Sequence, residues 1–317
     1  MTANWKRALL VAAAAALVGT SAARAEFPEK PVEMTVLFGG NAQTIGQLLA
    51  DLMSKELPQP VVAVSRPGGG GAIGYTHVNS TEPDGYSIVW NSNSISSNYH
   101  QGNLPFNYEA FTPIARVSVE VPALAVRADT GWETLSDMVE AVKSGDTKLK
   151  VGDSGQGSFT HLTSVAVLEA LGINDEAIYV PYGDGKAPIE LLAGRIDAAV
   201  QWPGQFLQHH EEGTLRILCV TGAERIALLP ETPTCAEAGA EGVDITMWRG
   251  LAAPAGTPEE VVETIEAAAK AATEAEEFKE AAKNLGFDIS FMGSEEFGEL
   301  IARDDAAIAE LFKAGSN

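Results

Sequence analysis

The chain has 317 residues, 45% of them hydrophobic, and 43 aspartates and glutamates against 21 lysines and arginines give a formal net charge of −22. Such a surface repels phosphate backbones, which excludes nucleic acid as a partner, and two cysteines are too few for a cysteine zinc site. The length exceeds what one compact core supports, so two lobes are predicted.

The chain opens on a leader. Lys6 and Arg7 precede an apolar run from Leu9 to Val18, and Ala23-Arg24-Ala25 is a small-x-small cleavage site. The run is shorter than the roughly 20 apolar residues that a membrane span needs. No cysteine lies beside the cleavage site to carry a lipid. Residues 1–25 are therefore predicted to be a signal peptide, cleaved after Ala25 to release a periplasmic chain that begins at Glu26. The leader holds Lys6, Arg7 and Arg24 and no acid, so cleavage leaves a net charge near −25.

Met34–Phe38 is the first predicted strand; the small, polar turn Gly39–Gln43 follows, then a helix over Ile45–Leu57 by its apolar spacing. Strand Val61–Val64 runs into the glycines Gly68–Gly71, which can take positive φ and bring N–H groups close to an anion. A short helix, the turn Pro83-Asp84-Gly85, strand Ser87–Trp90 and the polar segment Asn91–Ser94 come next. Lys150–Val151 leads into the turn Asp153–Ser158 and a helix through Leu171. Tyr182–Lys186 opens a helix near Ala187, with Lys186 either adding charge at that helix mouth or simply solvated. Ile196–Val200 and Leu215–Val220 are strands, and Glu259–Lys283 is an Ala/Glu-rich helical stretch with a solvated acidic face. Strands alternating with helices predict parallel sheets covered on both faces. Ligands of such sheets bind beyond the carboxyl ends of strands, where the turns at 39–43, 91–94 and 153–158 fall.

Gly152-Asp153-Ser154-Gly155 spells the surroundings of a serine-protease nucleophile. The α/β pattern is wrong for that fold, and Gln156 breaks a G-x-S-x-G elbow. The hydroxyls of Ser154, Ser158 and Thr160, with the N–H groups of the helix that follows, instead suit reversible capture of a carboxylate. Ser158 or Thr160 serves equally as an N-cap. His161 is either a pocket-lining residue or a packed one. His77, His100, His209 and His210 lack the spacing of a zinc helix, and GK[ST] is missing throughout, so no metal and no cofactor are predicted. Cys219 lies in an apolar strand and Cys235 at a predicted helix start. Both read as ordinary apolar positions, which favours two buried free thiols over the disulfide that an oxidising compartment permits.

The wording of several blocks is specific. RPGGGGAIG at 66–74 with PDGY at 83–86, FPEKPV at 27–32, NSNS at 91–94 and SGQGSFTHL at 154–162 stand in order. VPY at 180–182, GRIDAA at 194–199, LPETPTCAEAG at 229–239 and APAGTP at 253–258 follow. Together they resemble the extracytoplasmic solute-binding proteins of tripartite tricarboxylate transporters. The resemblance implies an α/β, type II periplasmic-binding-protein fold of two lobes, each a mainly parallel sheet flanked by helices. It implies crossings near Val121–Ala125 and Met247–Leu251, hence a first lobe of 26–121 plus 251–317 and a second of 122–250. From Ala252 the chain would return to the first lobe as three helices and a strand.

The resemblance further implies a non-enzymatic, monomeric receptor. It would capture a small organic acid (a di- or tricarboxylate or another carboxylate) and deliver it to membrane permease subunits. The expected ligand-binding residues are Phe38, Gly39, Asn41, Gln43, Asn91, Ser92, Ser154, Gly155, Ser158, Thr160, His161, Tyr182, Gln201 and Arg249. Loop 38–43 is shorter than in relatives and has no acid before Ile45, and Gln201 stands where relatives often carry Asp. Amides at these positions disfavour the ammonium of an amino acid and leave neutral donors. Arg249 replaces a usually apolar residue and is expected either to meet a distal carboxylate or to belong to a hinge, Trp248-Arg249-Gly250. The alternatives are an extracytoplasmic hydrolase using Ser154 and His161, and the ligand-binding subunit of a sensor.

Overall fold

The computed structural model describes residues 27–314 apart from 146, 147, 157, 183 and 184. The predicted leader with its expected cleavage site, and the Gly183-Asp184 pair of the turn before Lys186, lie outside the described residues.

Buried, β-rich segments assemble into two sheets. Strands β1 (Val32–Val36), β2 (Val61–Ser65), β3 (Ser87–Ser92), β4 (Phe111–Glu120), β10 (Met247–Pro254) and β11 (Asp288–Gly293) form the first, in the order β11-β4-β10-β3-β1-β2. The second comprises β5 (Ala123–Arg127), β6 (Leu149–Asp153), β7 (Ala177–Pro181), β8 (Ala198–Gln201) and β9 (Leu215–Val220), in the order β7-β6-β8-β5-β9. Both sheets are mixed rather than mainly parallel. The β1–β2, β1–β3, β6–β7 and β6–β8 pairs are parallel, as the strand–helix alternation predicts. Strands next to the crossings reverse that direction: β10 is antiparallel to β3 and β4, and β5 to β8 and β9. A chain that leaves one sheet and returns to it from the other re-enters pointing the opposite way.

Helices cover both faces of each sheet. Helix α1 (Asn41–Met53) buries Ile45, Leu49, Leu52 and Met53, one apolar stripe, against α8 (Glu259–Glu274) and the first sheet. Helices α2 (Ala72–Asn79), α3 (Ser94–His100) and α10 (Ser294–Ala314) close its other face. Helices α4 (Leu135–Ser144), α5 (Phe159–Ala170), α6 (Ala187–Leu192) and α7 (Pro203–Glu211) flank the second sheet. Beyond β10 the chain makes α8, α9 (Glu276–Leu285), β11 and α10, the three helices and a strand expected. The Ala/Glu-rich stretch is two helices rather than one, broken at Ala275, whose ψ of 140° ends α8.

The two crossings are tied together. One leaves β4 at Val121-Pro122, and Thr221 at the end of β9 donates its N–H and hydroxyl to Pro122 O at 2.9 and 3.2 Å. The same hydroxyl lies 2.7 Å from Ile245 O, and Ile245 N donates back to Thr221 O. Met247–Leu251 is therefore sheet, not connection. Trp248, Arg249 and Gly250 are buried and paired with neighbouring strands, and a Cβ on Gly250 would stand 2.6 Å from the Phe297 ring. Gly250 permits close packing there and is no hinge.

Cys219 and Cys235 form a disulfide, with Cα atoms 4.9 Å apart. Both are fully buried, as read from their apolar surroundings, but Cys235 does not start a helix. The chain after β9 loops back, Val220 bridges Thr234, and Cys235 N donates to Val220 O at 2.8 Å. That return sets the two sulfurs side by side, against the expectation of free thiols.

Candidate ligand cleft

A cavity of about 80 Å³ lies between the lobes and draws its walls from both. The first lobe contributes Phe38 to Ala42, Gly70, Ser94, Ser97, Met247 and Arg249, and the second Ser154, Ser158 to Thr160, Gly185, Gln201, Trp202 and Gln205. A larger interlobe groove of about 520 Å³ is lined by Val121, Ile226–Leu228, α9 and β11, and holds none of the strand-end turns. The smaller cavity is where those turns converge.

Gly40–Ala42 open α1 with no side-chain cap and no acid in the first turn. The leading N–H groups of a helix lack partners four residues back, so this end favours an anion. Asn41 Nδ2 donates to Leu285 O at 3.3 Å, which engages one of its amide protons. Gly68–Gly71 all take positive φ, as anticipated. Gly70 alone of the four reaches the cavity, and its carbonyl is taken by Asn98 Nδ2 at 2.6 Å.

The turn after β6 is built of interlocking bonds. Ser154 N donates to Thr160 Oγ1 at 2.9 Å, and the Thr160 and Ser158 hydroxyls lie 3.3 Å apart. Ser158 caps α5 by accepting from His161 N at 3.2 Å, so its two readings, cap and cavity wall, hold together. Gln201 Nε2 donates to Ser154 Oγ at 3.0 Å, which occupies a lone pair and leaves the hydroxyl proton to give.

Beneath this turn Asp153 is 1% exposed, and burial raises its pKa even though Gly155 N donates to its Oδ1 at 2.8 Å. Burial lowers the pKa of His161, opposed by the nearby Asp153 carboxyl. The His161 ring packs edge-on against Tyr179, centroids 4.9 Å apart.

Not every expected residue faces the cavity. Gln43 is exposed and lies in a shallow depression with Gln47 and Asp51 on the outer side of α1. Asn91 and Ser92 are buried one layer behind Ser94, because β3 runs two residues further than its apolar run predicts. Tyr75 OH donates to Asn91 Oδ1 at 2.7 Å and sits 2.9 Å from Ser94 Oγ. Burial pushes that phenol up to about 12, moderated by Ser94, so it stays a donor. Gly155, His161 and Tyr182 support the turns without lining the cavity: Tyr182 N donates to Asp153 O at 2.8 Å.

Trp202, Gln205 and Glu120 were not singled out from sequence. Gln201-Trp202-Pro203 carries a signal for the first, an aromatic between a strand-end amide and a proline that starts a helix.

Arg249 does face the cavity. On β10 side chains alternate: Met247 and Arg249 line the cleft, whereas the Trp248 indole donates to Asp304 Oδ2 on the opposite face. The Arg249 guanidinium is held by Glu120 of β4, Nη2 at 2.8 Å and Nε at 3.0 Å from the same Oε2. Its Cζ is 5.7 Å from the centre of the Trp202 ring, on which Phe159 stacks.

A two-lobed fold with a donor-lined cleft between mixed sheets is that of the type II periplasmic binding proteins. The family model described as "Tripartite tricarboxylate transporter family receptor" matches residues 45–314, and the chain belongs to that family. A "UPF0065 protein in tcbD-tcbE intergenic region" of Pseudomonas sp. (strain P51) is 33% identical over 294 residues, 90% of this chain and 87% of the relative. The periplasmic binding protein BugD superposes with a TM-score of 0.81 at 30% identity, over 92% of this chain and 99% of BugD. Two Rhodopseudomonas palustris proteins share the fold. MatC with bound malate has a TM-score of 0.80 at 24% identity, over 90% of this chain and 100% of that one. A protein with adipate has a TM-score of 0.81 at 23% identity, over 91% and 99%.

Proposed function

We propose that the protein is a periplasmic receptor, exported by its leader, that holds a small organic acid between its lobes and passes it to the membrane subunits of a tripartite transporter. The observation that carries this reading is the composition of the cleft. Neutral hydroxyl, amide and helix N–H donors come from both lobes, and a buried guanidinium stands among them. A carboxylate held by such donors is bound without being activated. Ser154, the candidate nucleophile of the rival hydrolase, takes its hydrogen bond from the Gln201 amide, which cannot act as a general base. The same fold holds malate in MatC and adipate in the second R. palustris protein.

Thermal-shift screening of ligand-free protein against mono-, di- and tricarboxylates tests the reading. Ligand at 100 times its dissociation constant stabilises by about 2.7 kcal/mol, so an acid that binds is expected to raise the melting temperature measurably. Absence of any shift across the acids, or mass-spectrometric turnover of a bound one, overturns it.

A further inference from the structure

Arg249 is incompletely satisfied. It is 3% exposed; Nε and Nη2 are both spent on Glu120, and Nη1 is buried without a hydrogen-bond partner. A buried charged N–H left unpaired is unfavourable, and this one belongs to a side chain that lines the cleft. Arg249 is also the only charged residue among the described residues lining that cavity. The Trp202 ring lies against the guanidinium and limits its movement. The other donors, the start of α1 and the hydroxyls of Ser154 and Ser158, are neutral.

Charge sets the number of carboxylates that fit. Glu120 offsets the guanidinium, so the pair is neutral overall, and it leaves one directed pair of N–H bonds pointing away from the carboxylate it already holds. One carboxylate uses the neutral donors, and a second completes Arg249. A third would find no cation. It would instead meet the amide oxygens of Gln201 and Gln205, buried acceptors without donors in the same cavity. Resting on the receptor reading above, the geometry points to a short dicarboxylate as the ligand, with Arg249 as the residue that selects it over mono- and tricarboxylates.

Calorimetric titration of the ligand-free mature chain with succinate against butyrate, glutarate against pentanoate, and citrate tests this. The better diacid is expected to bind roughly tenfold or more tighter than the monoacid of equal length, and citrate more weakly than that diacid. The double variant Glu120→Gln/Arg249→Met removes the pair without stranding a charge. It should lose that ratio by weakening the diacid more than the monoacid. Glu120→Gln alone, which keeps an acceptor for Nε but removes the offsetting charge, should tighten the diacid more than the monoacid. Arg249→Lys, a point charge without the fork, gives the same comparison should the double variant not fold, and part of the ratio should be lost. Equal losses for both acids, or tighter binding of citrate or a monoacid by the native protein, overturn the assignment and leave the receptor reading standing. Binding of no carboxylate by the native protein sinks both.

Discussion

The lobes meet backbone to backbone at Gly204, the second residue of α7, which packs on Leu285 at the end of α9. A Cβ built on Gly204 would stand 2.5 Å from Leu285 O and 3.0 Å from its carbonyl carbon, where ordinary contact needs 3.4–4 Å. Gly204→Ala therefore requires the lobes to stand apart by close to 1 Å at this point. The neighbouring Gly286 ends α9 with a φ of +73°, and its own Cβ position is 3.3 Å from Gly204 N, so neither backbone has room to yield. Overpacking of this kind costs about 1–3 kcal/mol. The conformation with the lobes in contact bears that cost, and it vanishes when they part. A ligand gripped by both lobes favours the apposed form, so affinity should fall about 5- to 150-fold in Gly204→Ala. The substitution also replaces glycine in a helix by a better helix former, so the melting temperature without ligand should stay level or rise. Titration calorimetry with the acid found by screening, and small-angle scattering with and without it, measure both sides. The native protein is expected to compact on binding and the variant to compact less. Unchanged affinity and an unchanged change in radius of gyration would refute the argument that closure proceeds through this contact.

The Cys219–Cys235 disulfide closes a loop of 16 residues, which the chain-entropy model values at about 3 kcal/mol. Cys219→Ala/Cys235→Ala should lower stability in urea unfolding by that order, and two titratable thiols in the denatured, unreduced native protein would contradict the bridge. Ser154→Ala and Ser158→Ala should each weaken acid binding by about 1.5–3 kcal/mol; calorimetry showing no loss in either would remove the β6–α5 turn from the site. His161 has a lowered folded pKa, so between 6.5 and that value the unfolded chain holds a proton the native one refuses. Stability should fall as pH drops through this window, and His161→Leu should flatten the slope in thermal melts. Asp153, raised by burial, acts with the opposite sign from 3.8 up to its folded value.

The sequence by itself determined the strands that carry the turns. Val61–Val64 and Leu215–Val220 are apolar runs bounded by breakers, and strand periodicity and turn chemistry are local properties that survive without knowledge of the fold. The same locality placed Phe38 to Asn41, Ser154 and Gln201 at strand ends, where the cavity lies. Locality stops at the direction of a side chain. Asn91 and Ser92 differ from Ser94 only by two or three residues, yet the extra length of β3 puts them behind it. The bridge between Cys219 and Cys235 depended on a loop folding back along β9, and the Arg249–Glu120 pair on β10 settling beside β4, 129 residues away in sequence. Which strands become neighbours, and which glycine lets two lobes touch, is decided by packing across the whole chain. Periodicity says that a residue is buried, and only tertiary structure says against what.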